Sequence, residues 1–475
     1  MKNFRIFTIV ISIILFIFIV WIIYRYSSGE DIERVEFRDF KEIVDDGVLK
    51  VVFNIDPVDY FVYEGSPLGF QLEMIESFSK KYGLELEIIV ESDLDSGIEI
   101  LKSNKVDILA QGIIQSSELD LKIDMTKSIR ETKLVLVQRS IDSVGKNIET
   151  IKSINDFKSA VLYVSSGTRN LNSFKVFIQD FAKNISVREI DSLSQEQLIN
   201  MVASGKIDYA VCAIEYAILA SNYYQNIDIS VDMSLPLNIV WGVRETSPLL
   251  LDSLNVWIEK FKESEDYRRL SLKYINKFRH NFNIESEFHS HNKARLSIYD
   301  DLFYKHAIVT GWDWRLIASL AYEESRFNPN AQSWAGATGL MQLLPVTYRK
   351  YKDEKYSGIE SEIFAACNYL SYIKNLLQNE LEDSITILKS SLASYNIGPG
   401  HIIDAICLCK KYNKDCNNWD NLSYFIINLS NRKYYTDTCV KNGYFPGIFS
   451  VEFANSVYNR YKHYLNIIPA KPQKQ

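Results

Sequence analysis

No long basic run occurs in this 475-residue sequence, and 53 Lys and Arg against 60 Asp and Glu leave a net charge of −7. A nucleic-acid partner, which needs a concentrated positive surface, is disfavoured. The six cysteines contain no repeated Cys-x-x-Cys, so the spacing of a zinc site is missing. Four of them (Cys407, Cys409, Cys416, Cys439) fall near the C-terminus. An exported domain can pair some of these, and their spacing alone leaves free thiols and disulfides both open. His280, His289 and His291 sit in a polar stretch without Cys or an i, i+4 helical partner, and they read as solvated linker side chains rather than metal ligands.

Also missing is a small-residue cleavage pattern or a lipid-acceptor Cys after the first apolar run, MKNFRIFTIVISIILFIFIVWIIYRY. The charge-free stretch from Ile6 to Tyr24 is long enough to span a bilayer as a helix. Residues 1–26 are therefore expected to be an uncleaved signal anchor. Lys2 and Arg5 precede the stretch, while Arg25 is followed by Glu30, Asp31 and Glu33. That asymmetry favours an N-in, C-out orientation and places the bulk of the chain outside the membrane.

What is present suits folded domains: 47% hydrophobic and 24% charged residues, with 29 Tyr and 25 Phe, in a chain too long for one ordinary core. LKVVFNID, the amphipathic SPLGFQLEMIESFSKKYG, LELEIIV and SGIEILKSNKVDILAQG alternate strand and helix patterns, which predicts an α/β lobe. LVLVQRS closes that lobe near Ser140 in this reading. A second lobe over about residues 140–234 follows from AVLYVSSGTRN and EQLINMVASGKIDYAVCA, with helix continuing to Phe278. Residues 35–278 thus form a two-lobed α/β domain, 279–295 a linker, and 296–468 an all-α domain in which strand signals are nearly absent.

GVLKVVF, the SPLGFQLEMIESFSKKYGLELE helix, NKVDILAQG, SSGT and SGKIDYAV stand in the order found in bacterial extracellular solute-binding proteins of the amino-acid type, and the region resembles that family. The resemblance implies two lobes that close on a ligand by hinge motion. It also implies a departure. Leu119 stands where the family usually has an Arg for the ligand's α-carboxylate, and Ala213 where it usually has an Asp for the α-amino group. Loss of a bidentate guanidinium removes the strongest carboxylate anchor, so a muropeptide is a better candidate ligand than a free amino acid.

In LAYEES (Leu320 to Ser325) two glutamates differ in helical phase. Positions three, four, seven and eight before Glu324 hold Ala321, Leu320, Ile317 and Leu316, all apolar. The same positions before Glu323 include Ser319 and Arg315. Glu324 is thus aimed at the core, where burial raises a carboxyl pKa and keeps a proton available, and Glu323 at the boundary. Asn328-Pro329 stops the helix. SWAGATGLMQLLP then supplies small residues with Ser333 and Gln342 as hydrogen-bonding side chains, and SLASYNIGPGH brings Tyr395 and Asn396 before a Gly-Pro-Gly turn.

Glu324-Ser325-x-Phe327, Gly339-Leu340-Met341-Gln342 and Ser394-Tyr395-Asn396 resemble the ES, GLMQ and AYN motifs of lytic transglycosylases with a goose-lysozyme-like domain. With the solute-binding-like region, the whole chain resembles the membrane-bound lytic murein transglycosylase F family. Ser394 replaces the Ala of AYN, and Pro446 stands where the family commonly has Arg. The resemblance implies peptidoglycan as substrate, Glu324 as the single acid and base, and Ser325, Ser333, Gln342, Tyr395 and Asn396 as substrate-binding residues. No cofactor and no metal are implied. A hydrolysing lysozyme and an envelope sensor with an inert catalytic domain remain open at this point.

Overall fold

The computed structural model describes residues 38–115, 122–140, 151–157, 159–165, 185–190, 193–276, 286–290, 294–333 and 335–472. The expected anchor, together with Leu119, His280 and His291, lies outside the described residues. Among those described, no helix is long and apolar enough to cross a membrane.

The first lobe is built on strands Glu85–Val90, Val48–Phe53 and Ile108–Ile114, which run parallel. Parallel neighbours need crossovers, and helices Phe70–Tyr82 and Leu94–Lys102 supply them. Strand Leu237–Val243 returns from late in the chain to lie antiparallel to Ile108–Ile114, and it also pairs with Asp124–Met125 and Arg130–Thr132. Phe53, Phe78, Trp241 and Trp257 fill the layer between this sheet and helices 70–82 and 248–262.

The second sheet has the order Ile185–Ile190, Ala160–Ser165, Tyr209–Ala213, Leu134–Arg139, Ile227–Asp232. The first three strands are parallel, and Leu134–Arg139 is antiparallel to both of its neighbours. LVLVQR therefore opens the second lobe and does not close the first, a correction to the boundary expected near residue 140. The strand is buried along almost its whole length, so it lacks the alternation that would tie one face to a particular sheet. The chain crosses between lobes at Lys133 and again between Asp232 and Leu237.

A hairpin of Phe61–Tyr63 and Ser66–Leu68 projects from the first lobe. The end of the linker lies along it: Glu64 N–H donates to Phe288 O (3.0 Å) and Ser290 N–H to Val62 O (2.9 Å). His289 is fully buried and stacks on Phe61 with ring centroids 4.7 Å apart. The expectation of a solvated linker histidine fails at His289, because backbone pairing with the hairpin draws the ring onto an aromatic surface that the sequence pattern did not reveal.

From Asp300 onward the described elements are helices, as expected: 300–310, 314–325, 345–351, 358–377, 384–397, 399–411, 419–428, 432–435 and 448–467. They enclose one core running from Phe303 through Leu320, Leu370 and Leu392 to Val457. Helix Ile448–Ile467 packs on helices 314–325 and 384–397, then continues past the domain to the first lobe. There Tyr464 O–H donates to Gly65 O, the Tyr60 hydroxyl and His463 Nδ1 are 3.0 Å apart, and Lys462 pairs with Glu85 at 2.7 Å.

Candidate active site

Helix Trp314–Ser325 carries Glu324 in its last turn. Asp313 caps its start by accepting from Arg315 N–H at 2.9 Å, which satisfies one of the free donors of a helix N-terminus. Its end is abrupt. Arg326 (φ 53°) and Phe327 (φ 61°) are both left-handed, and Pro329 follows. The turn so formed brings the polar stretch 331–343 back beside the final turn of the helix.

Glu324 is half-buried, above the fully buried Leu320 and Ala321 one turn below. Among the described residues none hydrogen-bonds its carboxyl. Its pKa is pushed up to about 8, first by desolvation and second by the charge of Glu323. The negative end of the helix dipole acts in the same direction. Glu323 is only 20% exposed in its side chain but is held by Arg460 Nη1 at 2.6 Å. The phase difference between the two glutamates therefore separates a carboxyl without a hydrogen-bond partner among the described residues from a paired one.

Four side chains fix the loop Gly339–Gln342 beside Glu324. Ser325 Oγ lies 2.7 Å from Leu340 O. Tyr395, buried in the last turns of helix 384–397, donates its hydroxyl to Met341 O at 2.8 Å. Gln342, itself left-handed at φ 47°, donates Nε2 to Gly339 O (2.8 Å) and Ala331 O (2.9 Å). Glu362 accepts from Leu340 N–H at 2.9 Å. Gly339 has φ 82°, and a Cβ there would fall on the Glu362 carboxylate, so only glycine fits. Loops usually lie open to water, and this one is held at both backbone groups of Gly339 and Leu340 and at the carbonyl of Met341.

Ser333 makes a small turn: its N–H donates to Ala337 O at 2.9 Å, its carbonyl accepts from Gly336 N–H at 3.1 Å, and its Oγ accepts from Ala337 N–H at 3.0 Å. Asn396 is exposed, and its Oδ1 accepts from Ser450 Oγ at 2.9 Å. That bond commits the amide oxygen and leaves the Nδ2 donors for a ligand. Tyr395 is further tied to Glu324 electrostatically: burial first, then the Glu324 charge, raises its pKa well above the ordinary phenol value. The structure thus gathers Glu324, Ser325, Gln342 and Tyr395 around one loop.

Glu362 was missed by sequence reasoning. It stands in an ordinary amphipathic helix, Gly358–Leu377, with no motif of its own. Only its burial, which raises its pKa, and its bond to Leu340 N–H mark it.

The lobes of the first domain enclose a second cavity of about 550 Å³. Ala213 lines it without a charge, as the sequence indicated. Other charges fill it. Arg130 of the first lobe donates to Glu215 of the second and to Asp59 (3.2 Å), Thr132 Oγ1 donates to Glu215 at 2.7 Å, and Tyr216 donates to Asp56. Asp56 is raised to about 6, by burial first and then by Asp59. These residues gave no sequence signal: Arg130, Thr132, Glu215 and Tyr216 lie in an otherwise plain strand and helix start, and Asp56 and Asp59 in the turn after strand 48–53.

Residues 301–418 match the Transglycosylase SLT domain, and residues 49–277 match the bacterial extracellular solute-binding proteins, family 3. A protein of Desulfosudis oleivorans named membrane-bound lytic murein transglycosylase F is 26% identical over 431 residues, covering 90% of this chain and 92% of that one. A protein of the same name from Pasteurella multocida is 26% identical over 458 residues, covering 95% and 89%. Among solved structures, a mutant of ArgBP from T. maritima aligns with 50% of this chain and 99% of its own at 22% identity and a TM-score of 0.41. Fold and site define a two-lobed solute-binding-like domain joined to a transglycosylase domain. The chain thus carries both domains and is similar along about 90% of its length to proteins named membrane-bound lytic murein transglycosylase F.

Proposed function

We propose that this protein is a peptidoglycan lytic transglycosylase, cleaving the β-1,4 bond between N-acetylmuramic acid and N-acetylglucosamine without water. The observation that carries the reading is the Glu324 carboxyl, without a hydrogen-bond partner among the described residues and raised to about 8 beside an immobilised loop. Such a group is protonated at neutral pH and donates to the glycosidic oxygen. Most glycosidases set a second carboxylate across the bond. Here the substrate's own N-acetyl group stabilises the positive sugar. The Glu324 carboxylate then takes the proton of the C6 hydroxyl, which attacks C1 and leaves a 1,6-anhydro end. Intramolecular attack gains from proximity.

In this reading Ser325, Gln342 and Tyr395 shape the wall of the glycan site through the 339–342 loop, while Ser333 and the Asn396 Nδ2 donate to the sugar and its N-acetyl carbonyl. The N-terminal stretch anchors the chain in the cell envelope with its bulk in the periplasm, the inner membrane being favoured. The solute-binding-like lobes modulate the activity, with a muropeptide as their candidate ligand. Mass spectrometry of peptidoglycan digested by wild type and Glu324→Gln tests the chemistry. Anhydro ends from wild type and none from the variant are expected; reducing ends would point to a lysozyme, and no release from wild type to a sensor.

A further inference from the structure

Two pairs of thiols in the C-terminal domain remain outside this chemistry. Helix Pro399–Lys411 carries Cys407 and Cys409. Residues two apart on a helix point about 200° from each other, so the two thiols face different neighbours. Cys409 meets Cys416, which lies in the turn after the helix: both sulfurs are 3.6 Å from the same carbonyl, Lys414 O. Cys407 faces Cys439: on the same helix Asp404 accepts from Lys441 N–H at 2.8 Å and Lys411 Nζ donates to Asp437 at 2.6 Å, so contacts on either side bring the two cysteines together. Among the described residues no three His, Cys, Asp or Glu side chains converge as metal ligands. The four sulfurs therefore form two separate pairs rather than one cluster. Cys212 and Cys367 are fully buried elsewhere in the chain.

We propose that Cys407–Cys439 and Cys409–Cys416 close as disulfides once the chain is exported, and that they staple the strap leading into the last helix. The periplasmic setting rests on the functional reading above; the pairing itself rests on the geometry. In each closure two thiols lose two protons and two electrons, and an external disulfide accepts the electrons and becomes two thiols. Burial first, and then the neighbouring thiol, push Cys409 and Cys439 up to about 12. Thiolate is scarce at neutral pH, so closure by air is slow and a disulfide donor is needed.

The strap has a site-related position. Beyond Cys439, Asp404 accepts from Lys441 N–H and Asn442 N–H, each at 2.8 Å, and His401 stacks on Phe445 with centroids 4.6 Å apart. The strap thus lies over the start of helix 399–411, directly after Asn396. It ends at helix 448–467, whose Ser450 holds the Asn396 amide. A bond from Cys407 to Cys439 fixes this strap at its far end, and one from Cys409 to Cys416 fixes the turn after the helix.

The test uses the full chain, purified in reduced form and equilibrated with oxidised glutathione. Thiols are counted after denaturation, and linked peptides are mapped by mass spectrometry. Two remaining thiols, at Cys212 and Cys367, with links 407–439 and 409–416, are expected. The melting temperature should fall on reduction, and Cys409→Ser/Cys416→Ser should retain the 407–439 link. Six free thiols, glutathione adducts in place of links, or the crossed pairs 407–416 and 409–439 overturn the proposal. Because pairing is read without any digestion assay, correct links in a chain that releases no anhydro product would sink the functional reading and leave this one standing.

Discussion

Arg460 Nη1 lies 2.6 Å from Glu323 Oε2, and so the last helix of the domain governs the charge immediately beside Glu324. In the proposed mechanism the reaction needs the Glu324 proton, so the alkaline limb of the rate profile should fall as pH rises through about 8. Glu323→Gln removes a like charge and should move that limb to lower pH. Arg460→Met removes the cation that compensates Glu323 and should move it higher. The measurement is anhydro-product release between pH 5 and 10 (assay limits of about this span cover both sides of the shift). Identical limbs in all three proteins would mean that Glu324 is not the titrating acid.

The same group makes a stability prediction of opposite sign to a paired carboxylate. A folded pKa of about 8 against an ordinary value of 4.5 means that the folded chain binds more protons than the unfolded one within that window. Stability therefore falls as pH rises through it. Glu324→Gln should raise the melting temperature at neutral pH and leave it nearly unchanged in acid below the unfolded pKa. A variant that melts lower at neutral pH would show that the carboxylate is satisfied in the fold.

Glu362 is expected to hold the 339–342 loop through an acceptor atom rather than through charge, because its recorded partner there is Leu340 N–H. Glu362→Gln keeps an acceptor and should retain most activity. Glu362→Ala strands a backbone donor, at a cost of about 1–3 kcal/mol when buried, and should lower kcat more than it raises KM. Equal loss in both variants would instead assign a role to the carboxylate charge.

Free amino acids should not bind the interlobe cavity in the carboxylate-clamping mode. Arg130, a guanidinium lining it, is already engaged by Asp59 and Glu215. Calorimetric titration of the anchorless full chain with the common amino acids should give no heat of binding, and a dissociation constant near the micromolar range for any of them would refute this.

Which parts were legible follows from where the pattern is periodic. Helix 314–325 repeats apolar residues at helical spacing, and the phase of Glu324 could be read directly from it. Asn328-Pro329 announced its end. Strand Leu134–Arg139 is apolar on both faces, so nothing local said which sheet would take it. His289 looked like a linker residue because its partner, Phe61, is far away in sequence. Glu362, Arg130 and Glu215 likewise take their roles from partners that only the tertiary fold brings near.

The contact between domains ties the 61–68 hairpin to the helix that carries Glu324. Gly65, at the tip of the 61–68 hairpin, has φ 79°, and a Cβ there would lie 2.6 Å from Phe327 Cε2 and 2.8 Å from Tyr322 Cδ2. Both aromatic residues flank Glu324 on its own helix and turn. Tyr464, fully buried, closes the same contact through Gly65 O. Gly65→Ala should therefore displace the hairpin or the end of helix 314–325, by clash and by left-handed strain together. The expected result is a fall in kcat of about tenfold, equivalent to about 1.4 kcal/mol in the barrier, with Glu324, the 339–342 loop and Asn396 all intact in sequence. A fragment from Leu296 to Gln475 lacks the hairpin altogether and should show a comparable loss together with a lower melting temperature, since Tyr464 and His463 become exposed. Full activity in both proteins would show that the hairpin contact only joins the domains and carries no influence to the site.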